Sequence, residues 1–216
     1  AALSVQVPYT LEPGTRVTEL SSDVVGVWSM NGIPDLLRAA WPQILRAPGG
    51  REWIIDTQHR LGVHLPQDLT RVIGQHVTAV METRERSRID GIPRLALISD
   101  SDPVIAGRIA ADVKDWLKLS VSGNRVVFST DPDMVDGLFT GGLTQSPKFT
   151  RVAPRYTEAA SVAYFDESAL ESLWGLQRSV PQANEDDLGV VEAVGFCGNQ
   201  LGSAGWGQFR LTLRRP

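Results

Sequence analysis

The sequence predicts an α+β fold, with a largely antiparallel sheet of about eight or nine strands and helices mainly on one face. Three observations predict it. Strand-patterned segments at 76–99, 119–129 and 188–213 are joined by short connections, and hairpins of that kind pair antiparallel. Runs of two or three helical segments stand between strands, which gathers helices together and departs from the strand–helix alternation of a doubly wound nucleotide fold. The chain has 216 residues, 42% of them hydrophobic and 21% charged, enough to bury a sizeable core.

Taken in order, Leu3-Ser4-Val5-Gln6-Val7 alternates apolar and polar residues and reads as a strand with one buried face. Its pattern resembles the closing strand FRLTL, so residues 1–20 read as a lead-in or the tail strand of a preceding repeat unit, and 21–216 as a single α+β domain. Val24 to Met30 is an apolar run suited to a strand buried on both sides. Asn31-Gly32 turns the chain into a helix carrying Leu37, Ala40, Trp41 and Ile44, which Pro42 is expected to kink or restart. Glu52 to Leu61 forms a second helix with Trp53 and Ile54 inward, ended by Gly62, and Pro66 opens a third that Gly74 stops. His76–Glu82 and Arg94–Ser99 are strands joined by a charged loop that carries Arg84, Arg86 and Arg88.

Two joints then follow a common plan: a strand, an Asp-Pro turn and a helix, at Asp102-Pro103 and at Asp131-Pro132. The first helix has an apolar stripe of Ile105, Ile109, Val113, Trp116 and Leu117. Between the joints, Leu119–Val121 and Arg125–Ser129 flank the tight turn Ser122-Gly123-Asn124. A short helix at Pro147–Val152, a strand at Ser161–Phe165 and a helix at Glu167–Leu176 with Leu170, Leu173 and Trp174 inward come next. After a polar loop at 179–187, the last strands, Leu188–Cys197 and Gln208–Leu213, enclose GNQLGSAGWG; the second, alternating Phe209, Leu211 and Leu213 with polar residues, has one wet face.

Composition narrows the function. A net charge of −4 and a pI near 5.4 argue against a nucleic-acid partner, which calls for a basic face. The single cysteine, Cys197, permits no internal disulfide and no cysteine zinc site, and no apolar run reaches the roughly 20 residues that span a bilayer. The chain begins Ala1-Ala2 without an initiator Met, which reads as a processed or excised product.

Candidate chemistry is thin. Asp100, Asp102, Asp131, Asp133 and Asp136 suggest a Mg²⁺ or Ca²⁺ site, but their spacing does not fit the twelve-residue calcium loop. Asp102 and Asp131 are better read as structural caps, because an Asp before Pro accepts helix N–H groups and complements the helix dipole. His59, His64 and His76 lack metal-ligand spacing, and no serine lies in a G-x-S-x-G elbow. Cys197 on an apolar strand reads as a small buried hydrophobe. The Gly-rich loop does not link a strand to a helix as a phosphate cradle does. Five of six tryptophans lie on core-like stripes, whereas Trp206 sits in the Gly loop and is the one candidate partner contact. No catalytic, cofactor-binding or metal residue is assigned.

LSSDVVGVWSM, LGVHLPQDLTRVIGQHVTAVME, GNRVVFSTDPDMVDGLF, GGLTQSPKFTRVAP, ASVAYFDESALESL and the final VVEAVGFCGN…GQFRLTLRRP pair occur in an order and spacing that carry a resemblance. Over residues 20–214 the chain resembles domain-of-unknown-function family 3352, of envelope-anchored bacterial proteins, with Ser21-Ser22-Asp23 in place of the family's Pro-Ala-Asp. The resemblance implies an extracytoplasmic location, a membrane anchor upstream of this segment, and a duplicated domain of which this is the C-terminal part; it implies no activity. The expected function is therefore a binding or cell-envelope-organising module without catalysis or cofactor, its partner an envelope protein or a lipid. A carrier of an amphipathic ligand and a carboxylate-dependent hydrolase are the alternatives.

Overall fold

The structure is a computed structural model that describes residues 13–83, 93–113, 117–176, 190–199 and 206–214. The expected strand at Leu3–Val7, the Arg84/Arg86/Arg88 loop, Trp116 and the side chain of Trp174 lie outside the described residues. Among the described residues eight strands form one antiparallel sheet: β1 (Val24–Asn31), β2 (His76–Glu82), β3 (Arg94–Asp100), β4 (Lys118–Ser122), β5 (Arg125–Ser129), β6 (Ser161–Asp166), β7 (Val191–Gly198) and β8 (Gly207–Leu213), in the order β4-β5-β3-β2-β1-β6-β7-β8. The helices are α1 (Ile33–Arg46), α2 (Gly50–Leu61), α3 (Gln67–Ile73), α4 (Pro103–Val113), α5 (Pro132–Leu138), α6 (Pro147–Val152) and α7 (Glu167–Leu176). The fold is α+β. No helix among the described residues is long and apolar enough to cross a membrane.

The pairing register shows which side chains share a face, because alternate residues of a strand point to opposite sides. On one face Val27, Val80, Ala96, Ile98, Val127, Val162, Tyr164, Ala193 and Cys197 meet Met134 and Leu138 of α5 and Phe149 and Val152 of α6 in the largest core cluster. Val17 and Leu20 are fully buried in that cluster, so the described part of residues 1–20 belongs to the same core. Phe149 is its centre, meeting Tyr156 and Tyr164 edge-to-face at 5.4 Å each. This is the closed face.

The other face is covered in two places. α4 lays Ala106 on Val126 and Phe128. α7 lays Ala169 on Val25 and Met81, against Leu95 and Phe165. Gly26 makes that seat possible, since a Cβ there would stand 3.0 Å from Phe165 and 3.3 Å from Ala169. α3 packs on β3 and α4, and α1 stacks on α2 and α3. The long helices thus gather away from the main core, which is roofed by the short α5 and α6 and by 3₁₀ turns at Val17–Glu19, Leu143–Gln145 and Tyr156–Glu158.

Four local expectations are corrected. In α7 the inward positions are Ala169 and Ser172, and Leu173 is left exposed. α1 runs unbroken through Pro42 to Arg46 instead of restarting there. In α2 the inward positions are Ile54 and Thr57, three apart on one side, which turns Trp53 outward at 54% exposure. In β8 the apolar side chains are the ones left open: Phe209, Leu211 and Leu213 are 68%, 47% and 58% exposed. Among the described residues β8 is an edge strand whose polar face packs toward α6, while α7 lies over β1, β6 and β7 and meets the end of β8 through the Glu167–Arg214 ion pair.

Candidate functional site

The site is an uncovered apolar row on the face that carries α4 and α7. Phe128 of β5 pairs with Leu97 of β3, Leu97 with Ala79 of β2, and Ala79 with Trp28 of β1; the row continues through Ala163 of β6 and Phe196 of β7 to Phe209 of β8. Directly opposed residues stand about 5 Å apart, so these side chains form one continuous strip across seven strands. α4 covers its Phe128 end, where the ring is 6% exposed. Leu97 and Trp28, in mid-sheet, are 41% and 38% exposed. Along the row the Trp28 indole is flanked on either side by a methyl group alone, from Ala79 and from Ala163. From Leu97 to Phe196 the strip crosses five strands, about 19 Å at the usual strand spacing.

Trp28 was expected in the core because its strand is apolar throughout. Its neighbours Val24, Val25 and Val27 are buried, but the indole projects where neither α4 nor α7 reaches. Trp206 is half-buried against the main core, with the Arg155 guanidinium 4.0 Å over its ring. The broadly exposed aromatic near it is Phe209, three residues on.

The acidic residues sit elsewhere and do structural work. Asp131 Oδ1 accepts the N–H of Asp133 at 3.0 Å, capping α5, and Asp102 Oδ1 accepts that of Val104 at 3.0 Å, at the start of α4. Asp131 has a second role that sequence reasoning missed: its Oδ2 lies 3.3 Å from Arg94 Nε, while Arg94 Nη1 lies 2.8 Å from Glu82 Oε2. All three side chains are at most 10% exposed, so two buried carboxylates share one arginine under the end of β2 and β3. Glu82 and Arg94 are cross-strand partners, a pairing visible only once the register is known.

His76 Nδ1 and Arg16 Nη2 both meet Asp100 Oδ2, at 2.9 and 2.7 Å. The other histidine nitrogen, Nε2, faces the main chain at Gly14, where an added Cβ would come within 3.3 Å. Ser99 and Ser101 bond to each other at 2.8 Å. The ensemble ties the lead-in to the sheet. Asp166 accepts the Ala169 N–H at 3.1 Å, and burial raises its carboxyl above the ordinary value despite that bond. Burial also raises the Cys197 thiol, which is enclosed in the main core. Among the described residues no group of three or more His, Cys, Asp or Glu could hold a metal.

A search of family models, of curated proteins and of solved structures matched nothing to this chain.

Proposed function

We propose that the protein is a non-catalytic binding module, acting in the extracytoplasmic setting implied by the family resemblance, and that its open sheet face takes up an apolar or amphipathic chain. Of the functions the sequence left open, this joins the envelope-binding reading to the lipid-carrier one. The observation that carries it is the exposure of Leu97 and Trp28 in mid-sheet, where antiparallel sheets normally bury apolar side chains under a covering layer. The strip is long, narrow and apolar, with methyl groups alone beside the Trp28 indole, which suits an extended acyl chain better than a compact ring system. Asp100, Asp102, Asp131 and Glu82, among the carboxylates a hydrolase could use, are engaged as caps and ion pairs on other parts of the molecule.

The test is titration with a fluorescent fatty acid. Wild type should show saturable binding, and Leu97→Glu should weaken it about tenfold or more, since a carboxylate in the strip opposes burial of the chain. Leu97 is already 41% exposed, so the variant should keep the wild-type circular dichroism spectrum and melting temperature. Equal affinity in the two proteins, or no saturable binding by wild type, would sink the proposal.

A further inference from the structure

Among the described residues β8 is the outer strand, and it presents an edge that complements itself. Arg214 N–H donates to Val190 O at 2.9 Å and Asn199 N–H to Trp206 O at 3.0 Å, so the even-numbered residues of this strand direct their backbone groups toward β7. By the alternation of an antiparallel ladder, Gly207, Phe209, Leu211 and Leu213 turn theirs outward. The side chains of the last three are also the exposed apolar ones. Edge strands are commonly protected by Pro, Lys or a bulge; β8 reads GQFRLTL, and the irregularity in this pair falls on β7, between Val191 and Ala193.

We propose that β8 pairs antiparallel with β8 of a second copy about a two-fold axis through Leu211, joining two sheets into one. Charge excludes the registers one residue to either side, and an axis through Phe209 would carry the far end of β8 past the start of its partner strand. An axis through Arg210 would set two arginines directly opposite, and one through Thr212 would set Arg210 opposite Arg214, both repulsive pairings. With the axis at Leu211, Arg210 faces Thr212 and Arg214 faces Gln208, while Phe209 faces Leu213 and Leu211 faces itself. The outward N–H and C=O groups of Phe209, Leu211 and Leu213 then all find partners, and the contact is isologous, as a closed dimer requires. This pairing does not depend on the ligand reading, because it uses the strand's backbone edge and shares with the strip only its last residue, Phe209, and not the mid-sheet Leu97 and Trp28.

A strand-edge contact is small beside a standard interface of about 800 Å² per partner, so association should depend on concentration. Sedimentation velocity should give a dimer at about 100 µM protein that dissociates toward about 1 µM. Leu211→Lys sets two ammonium groups across the axis and leaves the β7 pairing intact, so it should be monomeric throughout with an unchanged circular dichroism spectrum and melting temperature. For the register, Phe209→Cys mixed with Leu213→Cys should form an intermolecular disulfide that neither variant forms alone, Cys197 being buried. A wild type monomeric at 100 µM, or a dimer that survives Leu211→Lys, overturns the proposal; a disulfide formed by Phe209→Cys alone overturns the Leu211 axis.

Discussion

Arg94 holds two carboxylates away from water, and its neighbours are not equivalent to it. Asp131→Ala removes a cap and one arm of the cluster but leaves a balanced Arg94–Glu82 pair, so it should lower stability by about 1–2 kcal/mol. Arg94→Met leaves Glu82 and Asp131 buried without their shared cation, and the loss should be about 3–5 kcal/mol. Urea denaturation of the two variants checks the ranking, and the reverse order would show that Arg94 is not the keystone. Asp166 gives a pH signature. Its native carboxyl holds a proton more tightly than the unfolded chain's, so the stability it contributes is complete below the unfolded value of about 4 and is lost as pH rises through the higher native value. Asp166→Asn keeps an oxygen for the Ala169 N–H and removes that loss. Its urea midpoint should therefore gain on wild type between about pH 3 and pH 7.

At the scale of the element, the sequence was most readable where chain-local chemistry decides the outcome. Alternation, the Asp-Pro caps and the stopping glycines located nearly every described strand and helix, with α6 and α7 in register to the residue. What escaped was which side of an element meets a neighbour. The outward turn of Trp53 depends on how α2 lies against α1, and the openness of β8 on which strand lies at the edge, and neither is a local property. Two glycines mark close approaches that local patterns also hide. Gly74 has φ +63°, and a Cβ there would lie 2.0 Å from Asp100 O, which explains why α3 must stop there. At Gly195 an added Cβ would come 2.7 Å from the Val152 carbonyl, so α6 rests directly on the backbone of β7. Gly195→Ala should push α6 off the sheet, lowering the melting temperature and raising exchange of the α6 amides; an unchanged melting temperature would refute that close seat.

For the whole molecule, the candidate site was the least readable feature, because it is assembled from residues of seven strands that only the register brings into line. Leu97, Ala79, Trp28 and Ala163 are ordinary core residues in any one segment. Their significance comes from the gap between α4 and α7, a property of helix lengths and crossing positions rather than of residue type. The sequence offers the expectation of a binding module, through the lack of a convergent reactive set, and no sheet face on which to place it. It placed attention on Trp206, near an edge that does carry exposed aromatic surface, but at Phe209.

The strand order has a kinetic consequence. β1 pairs with β2 on one side and with β6 on the other, so every strand before α5 lies to one side of β1 and every strand after it to the other. Each flank can zip up through neighbours close in the chain, but Trp28 reaches Ala163 only by closing a loop of more than half the protein. The entropy of that closure is spent before any contact across the β1–β6 seam rewards it. The seam should thus be the last junction to form during refolding, which pulsed hydrogen exchange on the β1 and β6 amides would time.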